Sequence, residues 1–243
     1  MGDERYEQRT LLGPSIPASR RVLLSEVLFV YLAEEQSWLT ARIVRRVDGK
    51  PIPESDTRLE RLLADTSSSW PVRLRRLRDE GARFDIGRVE RNFSDPTMVL
   101  QFLSRDTQGR FEFRLDGDES VADTPAWKVS FQEQARPTMI QSNGRDVPAS
   151  GTVWLAVRDS SVLRTQVTLV DRVFELRVRG SMRVSYRHDS RLGVWLPAEM
   201  RELYDQNGRG VYRGRSALFD DRIECVATYS NFRRFETTAR LVN

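Results

Sequence analysis

The chain of 243 residues has one cysteine, Cys225, and one histidine, His188. A single thiol cannot close an internal disulfide. With only one imidazole beside it, there is neither a thiolate zinc cluster nor a multi-histidine metal site. A serine or cysteine triad would have to take His188 as its base, and no nucleophile stands at a recognisable spacing from the His188-Asp189 pair. Gly-rich phosphate loops, nucleophile elbows and paired-histidine helices are missing as well, so the residues point to no reaction and no cofactor. Lysine is scarce: only Lys50 and Lys128 occur, so 37 of the 39 basic residues are arginine. They face 35 carboxylates and fall mostly at alternate strand positions, so the net charge of +4 reads as solvated faces and not as a nucleic-acid surface. No apolar run approaches the ~18 residues of a spanning helix. The densest, Val22 to Leu32, is broken by Ser25 and Glu26.

What is present is a period. From Arg110 onward apolar residues alternate with polar ones in Phe111/Phe113/Leu115, Trp127/Val129/Phe131, Val153/Leu155/Val157, Phe174/Leu176/Val178 and Met182/Val184/Tyr186. Turn chemistry recurs between them, as at Ser142-Asn143-Gly144 and Asn207-Gly208. Arg21 to Leu32 and Trp38 to Val47 form two earlier strands closed by Asp48-Gly49. Between about residues 54 and 104 the period changes to that of helices. Leu59, Leu62 and Leu63 after Ser55 or Asp56 mark one, and Val72, Leu74 and Leu77 after Trp70-Pro71 a second, which carries Arg73, Arg75, Arg76 and Arg78. Met98, Val99, Phe102 and Leu103 after the capping Asp95-Pro96 mark a third. Met1 to Gln8 is charged, lacks the apolar core of a secretory leader and is assigned to no strand.

The expected fold is α+β: one domain over residues 1–243 with a strongly curved antiparallel sheet of about nine to eleven strands, an open half-barrel covered on its concave face by short helices. The sheet is expected to hold residues 21 to 47 and 110 to 242. Acidic pairs such as Asp116/Asp118 and Asp220/Asp221 sit in turn-like stretches, and Asp116-Gly117-Asp118 is too short for a calcium loop.

The wording of the C-terminal half is the most specific in the chain. Trp127-Lys128-Val129-Ser130-Phe131 is followed by Gly151-Thr152-Val153-Trp154-Leu155, Ser161 to Val167, Val184-Ser185-Tyr186-Arg187, Leu192 to Pro197 and a closing Ala227 to Phe235. In that order the segments resemble the lipoprotein-carrier and outer-membrane lipoprotein-sorting (LolA-like) superfamily, closest to an uncharacterised family of exported bacterial proteins. The resemblance implies an incomplete barrel whose concave apolar face accepts acyl chains. It also implies a periplasmic or secreted, non-enzymatic, monomeric protein, a lipid or acylated protein as partner, and an N-terminus truncated relative to the family.

Under that resemblance a ligand cavity is expected among the inward residues Trp127, Val129, Phe131, Val153, Leu155, Phe174, Leu176, Val178, Met182, Val184 and Tyr186. Leu59, Leu62, Met98, Val99 and Phe102 form its lid. The competing expectation is a structural or protein-interaction domain whose core is filled and holds no small ligand.

Overall fold

The structure is a computed structural model, which describes residues 1–12, 19–32, 37–53, 55, 70–87, 94–173, 175–212 and 214–234. In chain order its elements are β1 (Gly2–Leu12), β2 (Arg20–Leu32), β3 (Ser37–Val47), β4 (Lys50–Pro51), α1 (Trp70–Ala82), α2 (Met98–Phe102), β5 (Phe111–Val121), β6 (Thr124–Glu133), β7 (Gln141–Ser142), β8 (Arg145–Asp146), β9 (Ala149–Ala156), β10 (Val162–Val173), β11 (Leu176–Asp189), β12 (Val194–Tyr212) and β13 (Arg215–Ser230). Among the described residues, eleven strands form one sheet in the order β4-β3-β2-β1-β13-β12-β11-β10-β9-β6-β5, and β7 and β8 make a separate two-stranded ribbon. Every pairing is antiparallel, and bulges at Thr10/Leu12, Leu24/Ser25, Leu115/Gly117, Val162/Arg164 and Ser185/Tyr186 bend the strands. With β4 and β5 as its two edges, the sheet is open and not closed into a barrel.

One expectation fails at the centre of this sheet. The N-terminal segment, read as strandless, is β1, which pairs with β13 on one side and β2 on the other. Its inward positions are Glu4, Tyr6, Gln8 and Thr10, all buried. An alternation whose inner face is polar gives no apolar period, which is why the pattern hid it. Each of the first three positions is satisfied instead. Glu4 accepts a bidentate pair from the Arg42 guanidinium, Nη2 at 2.8 Å. The Tyr6 hydroxyl donates to Glu202 Oε2 at 2.6 Å, and Tyr204 donates to Glu202 Oε1 at 2.6 Å. Gln8 accepts from the Ile86 amide at 3.0 Å and donates to the Phe84 carbonyl at 3.2 Å, tying the segment after α1 to the sheet. At the other end, the last strand stops at Ser230, short of the expected 242, and residues 235–243 lie outside the described residues.

The main core lies on one sheet face, built from Tyr6, Val27, Phe131, Val153, Val167, Met182, Val184, Met200, Ile223 and Ala227 with Met98, Val99 and Phe102 of α2 seated on it. Phe102 stacks on Phe111 at 4.8 Å between ring centroids and meets Phe131 edge-on at 5.9 Å. Two further tethers fix this segment. Asp95 Oδ1 accepts from the Thr97 amide at 2.7 Å and from Thr40 Oγ1 at 3.0 Å, and the buried Tyr186 hydroxyl donates to the Pro96 carbonyl at 2.7 Å. Asp95 thus accepts within the turn that leads into α2, but the residue at the helix cap is Thr97, so Asp95 and Pro96 stand just before the helix and not at its cap and in its first turn as expected.

The other helix does something different. Leu74 of α1 packs with Leu28, Leu39, Ala41 and Ile43, a second cluster on the opposite face of β2 and β3, because Val27 and Leu28 are strand neighbours and point apart. Parts of both faces of this hairpin are therefore buried, which explains why Val22 to Leu32 is apolar on both faces except at Ser25 and Glu26. Strand β4 pairs only with Arg46 and Val47, and α1 lies along the rest of β3 and shields that edge. Gly81 permits the approach: a Cβ there would stand 3.2 Å from the Arg42 carbonyl. Val72, expected on the apolar face, is exposed, and Arg73 and Arg76 face solvent. The helix expected over residues 55–63 falls outside the described residues, Ser55 excepted.

Candidate functional site

Where α2 gives way to its following turns, the sheet and the helical segment part and leave an apolar pocket of about 520 Å³. Phe29 of β2 and Trp38 of β3 form one wall, Trp195, Leu196 and Pro197 at the start of β12 the other, with Leu100 of α2 above and Met139 from the loop after β6 closing one side. The cavity falls within the roughly 300–1,000 Å³ of ordinary small-molecule sites. Most of its polar members are engaged, and Asp106 is an exposed carboxylate among them. Gln101 Nε2 donates to the Trp38 carbonyl at 3.3 Å, Thr107 Oγ1 donates to the Gln101 carbonyl, and the Ser104 and Thr107 hydroxyls lie 2.8 Å apart. What remains facing the space is chiefly hydrocarbon and indole.

The mouth carries large exposed aromatics. Trp38 is 49% exposed, Tyr31 46% and Trp195 37%, and the Tyr31 and Trp38 rings meet at 5.4 Å. Aromatics with one dry edge and one wet edge belong at a boundary between apolar and aqueous surroundings. Buried Met98, Val99 and Phe102 hold α2 over the sheet, and the Tyr186 and Thr40 bonds hold the turn before it.

The residues expected to line a cavity are placed as follows. Phe131, Val153, Met182, Val184 and Tyr186 are buried members of the main core, and Leu155 and Val178 are partly buried against it. Trp127 and Val129 lie beside Leu155 and Val153 on the same face, half-buried, and Leu176 is half-buried next to Gly210. Of the lid, Met98, Val99 and Phe102 sit on that core; Leu59, Leu62 and Phe174 lie outside the described residues. The fold thus brings the strand set together as packing, whereas the open space lies at the end of the sheet among other residues. Phe29, Trp38 and Trp195 carry no sequence signal beyond their aromatic side chains. Leu100, Gln101, Ser104, Thr107 and Met139 carried no signal, since they come from turns that only the fold juxtaposes.

Among the described residues the single cysteine and the single histidine lie apart. Cys225 is fully buried, and His188 is exposed with its ring edge-on to Trp195 at 5.8 Å. Among the described residues no group of three His, Cys, Asp or Glu side chains is placed to hold a metal, and no helix is long and apolar enough to cross a membrane.

The site and the sheet together define a class: an open antiparallel sheet with a small helical cover and an apolar pocket at one end. Comparison with known proteins finds no family model and no curated protein that matches. Among solved structures, distant similarities are found. An outer membrane lipoprotein-sorting protein domain from Vibrio parahaemolyticus is 11% identical with a TM-score of 0.40, over 96% of this chain and 85% of that one. A DUF1329 family protein from Desulfovibrio piger is 11% identical with a TM-score of 0.37, over 95% and 83%. A LolA superfamily protein from Nitrosomonas europaea is 10% identical with a TM-score of 0.32, over 97% and 87%.

Proposed function

We propose that this chain is a non-catalytic binding protein that takes an acyl chain, from a lipid or an acylated protein, into the pocket between Phe29, Trp38, Leu100, Met139 and Trp195. The extracytoplasmic setting follows the resemblance of its C-terminal motifs. The observation that supports the reading is the apolar pocket with exposed tryptophans at its mouth. Magnitude sets the size of the ligand. Each methylene withdrawn from water contributes about 0.8 kcal/mol, so a dozen contribute about 10 kcal/mol, against an association cost of about 4–15 kcal/mol. Chains of a few carbons do not bind on this arithmetic; long ones do, and more tightly when a second contact holds the rest of the molecule.

A second reading, an interaction domain with no small ligand, is favoured by how fully the main core is filled: Val153, Met182 and Val184 are at most 1% exposed. Uptake of the apolar fluorophore N-phenylnaphthylamine separates the two. A pocket binder should enhance its emission, an added acyl chain should displace it, and Leu100→Trp, which fills the space, should abolish the signal while the fold persists. A folded wild-type chain that leaves the probe dark would favour the interaction domain.

A further inference from the structure

Next to the apolar pocket lies a polar groove of about 840 Å³, lined among others by Asp3, Glu26, Arg187, His188, Arg191 and Arg233. The two spaces share a wall made of two ring contacts. Phe29 of the pocket lies 6.2 Å from Phe232 of the groove, and Trp195 of the pocket lies 5.8 Å from His188 of the groove. A molecule leaving the pocket over this wall passes directly from hydrocarbon to charge.

The charges of the groove are unevenly engaged. Its carboxylates have partners: Glu26 takes the Arg233 and Arg45 guanidiniums, each at 2.8 Å. Asp189 Oδ1 accepts the Arg191 and Leu192 amides at 3.0 Å, and Asp3 accepts from Asn231 at 2.7 Å. Two cations do not. Arg187 is exposed and makes no hydrogen bond or ion pair among the described residues, and the Arg191 guanidinium donates only to the neutral Phe232 carbonyl. Guanidiniums with free donors next to an apolar slot complement an anion carried on a hydrocarbon chain.

We infer that pocket and groove together bind one amphiphile, its chain among Phe29, Leu100 and Trp195 and its anionic headgroup against Arg187 and Arg191. The inference rests on the acyl-pocket reading and adds the charge of the ligand. A neutral or cationic amphiphile would fill the pocket and leave the two arginines unanswered.

The test is titration calorimetry of the full chain with dodecanoate, dodecyl phosphate, dodecanol and dodecylammonium at low salt, and with inorganic phosphate alone. The two anions should bind roughly tenfold more tightly than the alcohol, with the ammonium weakest. The preference should shrink at about 0.5 M salt, because exposed charges are screened there. The anion-to-alcohol ratio should fall towards one in Arg187→Gln/Arg191→Gln. Since Arg191 also holds the Phe232 carbonyl, Arg187→Glu, at a position without internal bonds, is the second variant and should bring dodecylammonium level with or above dodecanoate. Equal affinity for all four chains, or a preference that survives both variants, would overturn the headgroup site and leave the acyl pocket standing; inorganic phosphate binding as tightly as dodecyl phosphate would mean that the chain contributes nothing and would overturn the acyl pocket and the joint site with it. If none of the four chains binds the folded protein, both readings fall.

Discussion

Tyr186 shows how firmly the cover over the pocket is held. Its hydroxyl donates to the Pro96 carbonyl at 2.7 Å and lies 3.3 Å from Thr165 Oγ1, all in the interior. Tyr186→Phe keeps the ring among its core neighbours and removes only the oxygen, which leaves a buried carbonyl without its donor at a cost of about 1–3 kcal/mol. A second signature comes at high pH. Burial pushes the Tyr186 phenol well above its ordinary value near 10, opposed in part by the hydrogen bond with Thr165. The unfolded phenol ionises from about pH 10 upward while the folded one keeps its proton, so the unfolded state binds fewer protons and stability falls as pH rises. By about pH 11 that loss is about 1.4 kcal/mol in the wild type and is missing from the variant. Tyr229, raised in the same direction chiefly by burial, titrates in both proteins and cancels. Urea unfolding at about pH 8 and pH 11 should therefore show the wild-type advantage narrowing by about 1.4 kcal/mol. An advantage that stayed constant to pH 11, or one below about 0.5 kcal/mol at pH 8, would refute the buried tether.

Other variants probe the rest of the fold. Glu4→Ala strands the Arg42 guanidinium inside the sheet and should cost about 3–5 kcal/mol, read by chemical denaturation; a loss under about 1 kcal/mol would mean that water reaches Arg42. Gly151→Ala would drive its Cβ to 1.9 Å from the Gln166 carbonyl and 2.7 Å from the Phe131 ring, so β9 and β10 must separate; a melting temperature close to that of the wild type contradicts the register. Hydrogen bonds from Arg20, Arg9 and Arg5 hold the Glu7 carboxyl down at about 2. The stability this gives is present above the ordinary carboxyl range and lost as pH falls towards 2. Its partners are about half exposed, so Glu7→Gln should cost less than about 1 kcal/mol near pH 7 and progressively less as pH falls to 2, where the two thermal melts should draw together.

Segments such as β6, β9 and the second half of β11 were legible because one sheet face is dry and the other wet, and that contrast writes itself into a period of two; the turns expected at Asn207-Gly208 and at the Asp116/Asp118 and Asp220/Asp221 pairs instead lie within β12, β5 and β13, because turn-type residues in a long strand follow the ladder of their neighbours. The same rule hid β1, whose inner face is Glu4, Tyr6, Gln8 and Thr10. There polar tethers to Arg42, Glu202 and the backbone at Phe84 and Ile86 replace hydrocarbon. It is also silent on where open space lies. Alternation tells which residues share a face but not whether that face is filled, and Met182 and Val184 turn out to be packed solid. The pocket is made where strand ends meet turns. Met139, Leu100 and Trp195 are far apart in the chain, and no periodicity joins them. Edge strand β5 shows the limit from the other side: Phe113 and Leu115 alternate as a core strand would, yet Leu115 is 62% exposed because no partner covers the rim.

The most direct measurement is quenching of tryptophan fluorescence by an acyl chain brominated near its methyl end. A chain seated between Phe29, Leu100 and Trp195 should quench the emission of the wild type, and Trp38→Phe/Trp195→Phe should lose that quenching. Trp154, shielded on the other sheet face by Val121, Ala126 and Leu163, should continue to emit. Quenching of equal depth in the wild type and in the double variant would place the chain elsewhere on the protein and contradict the pocket as its site.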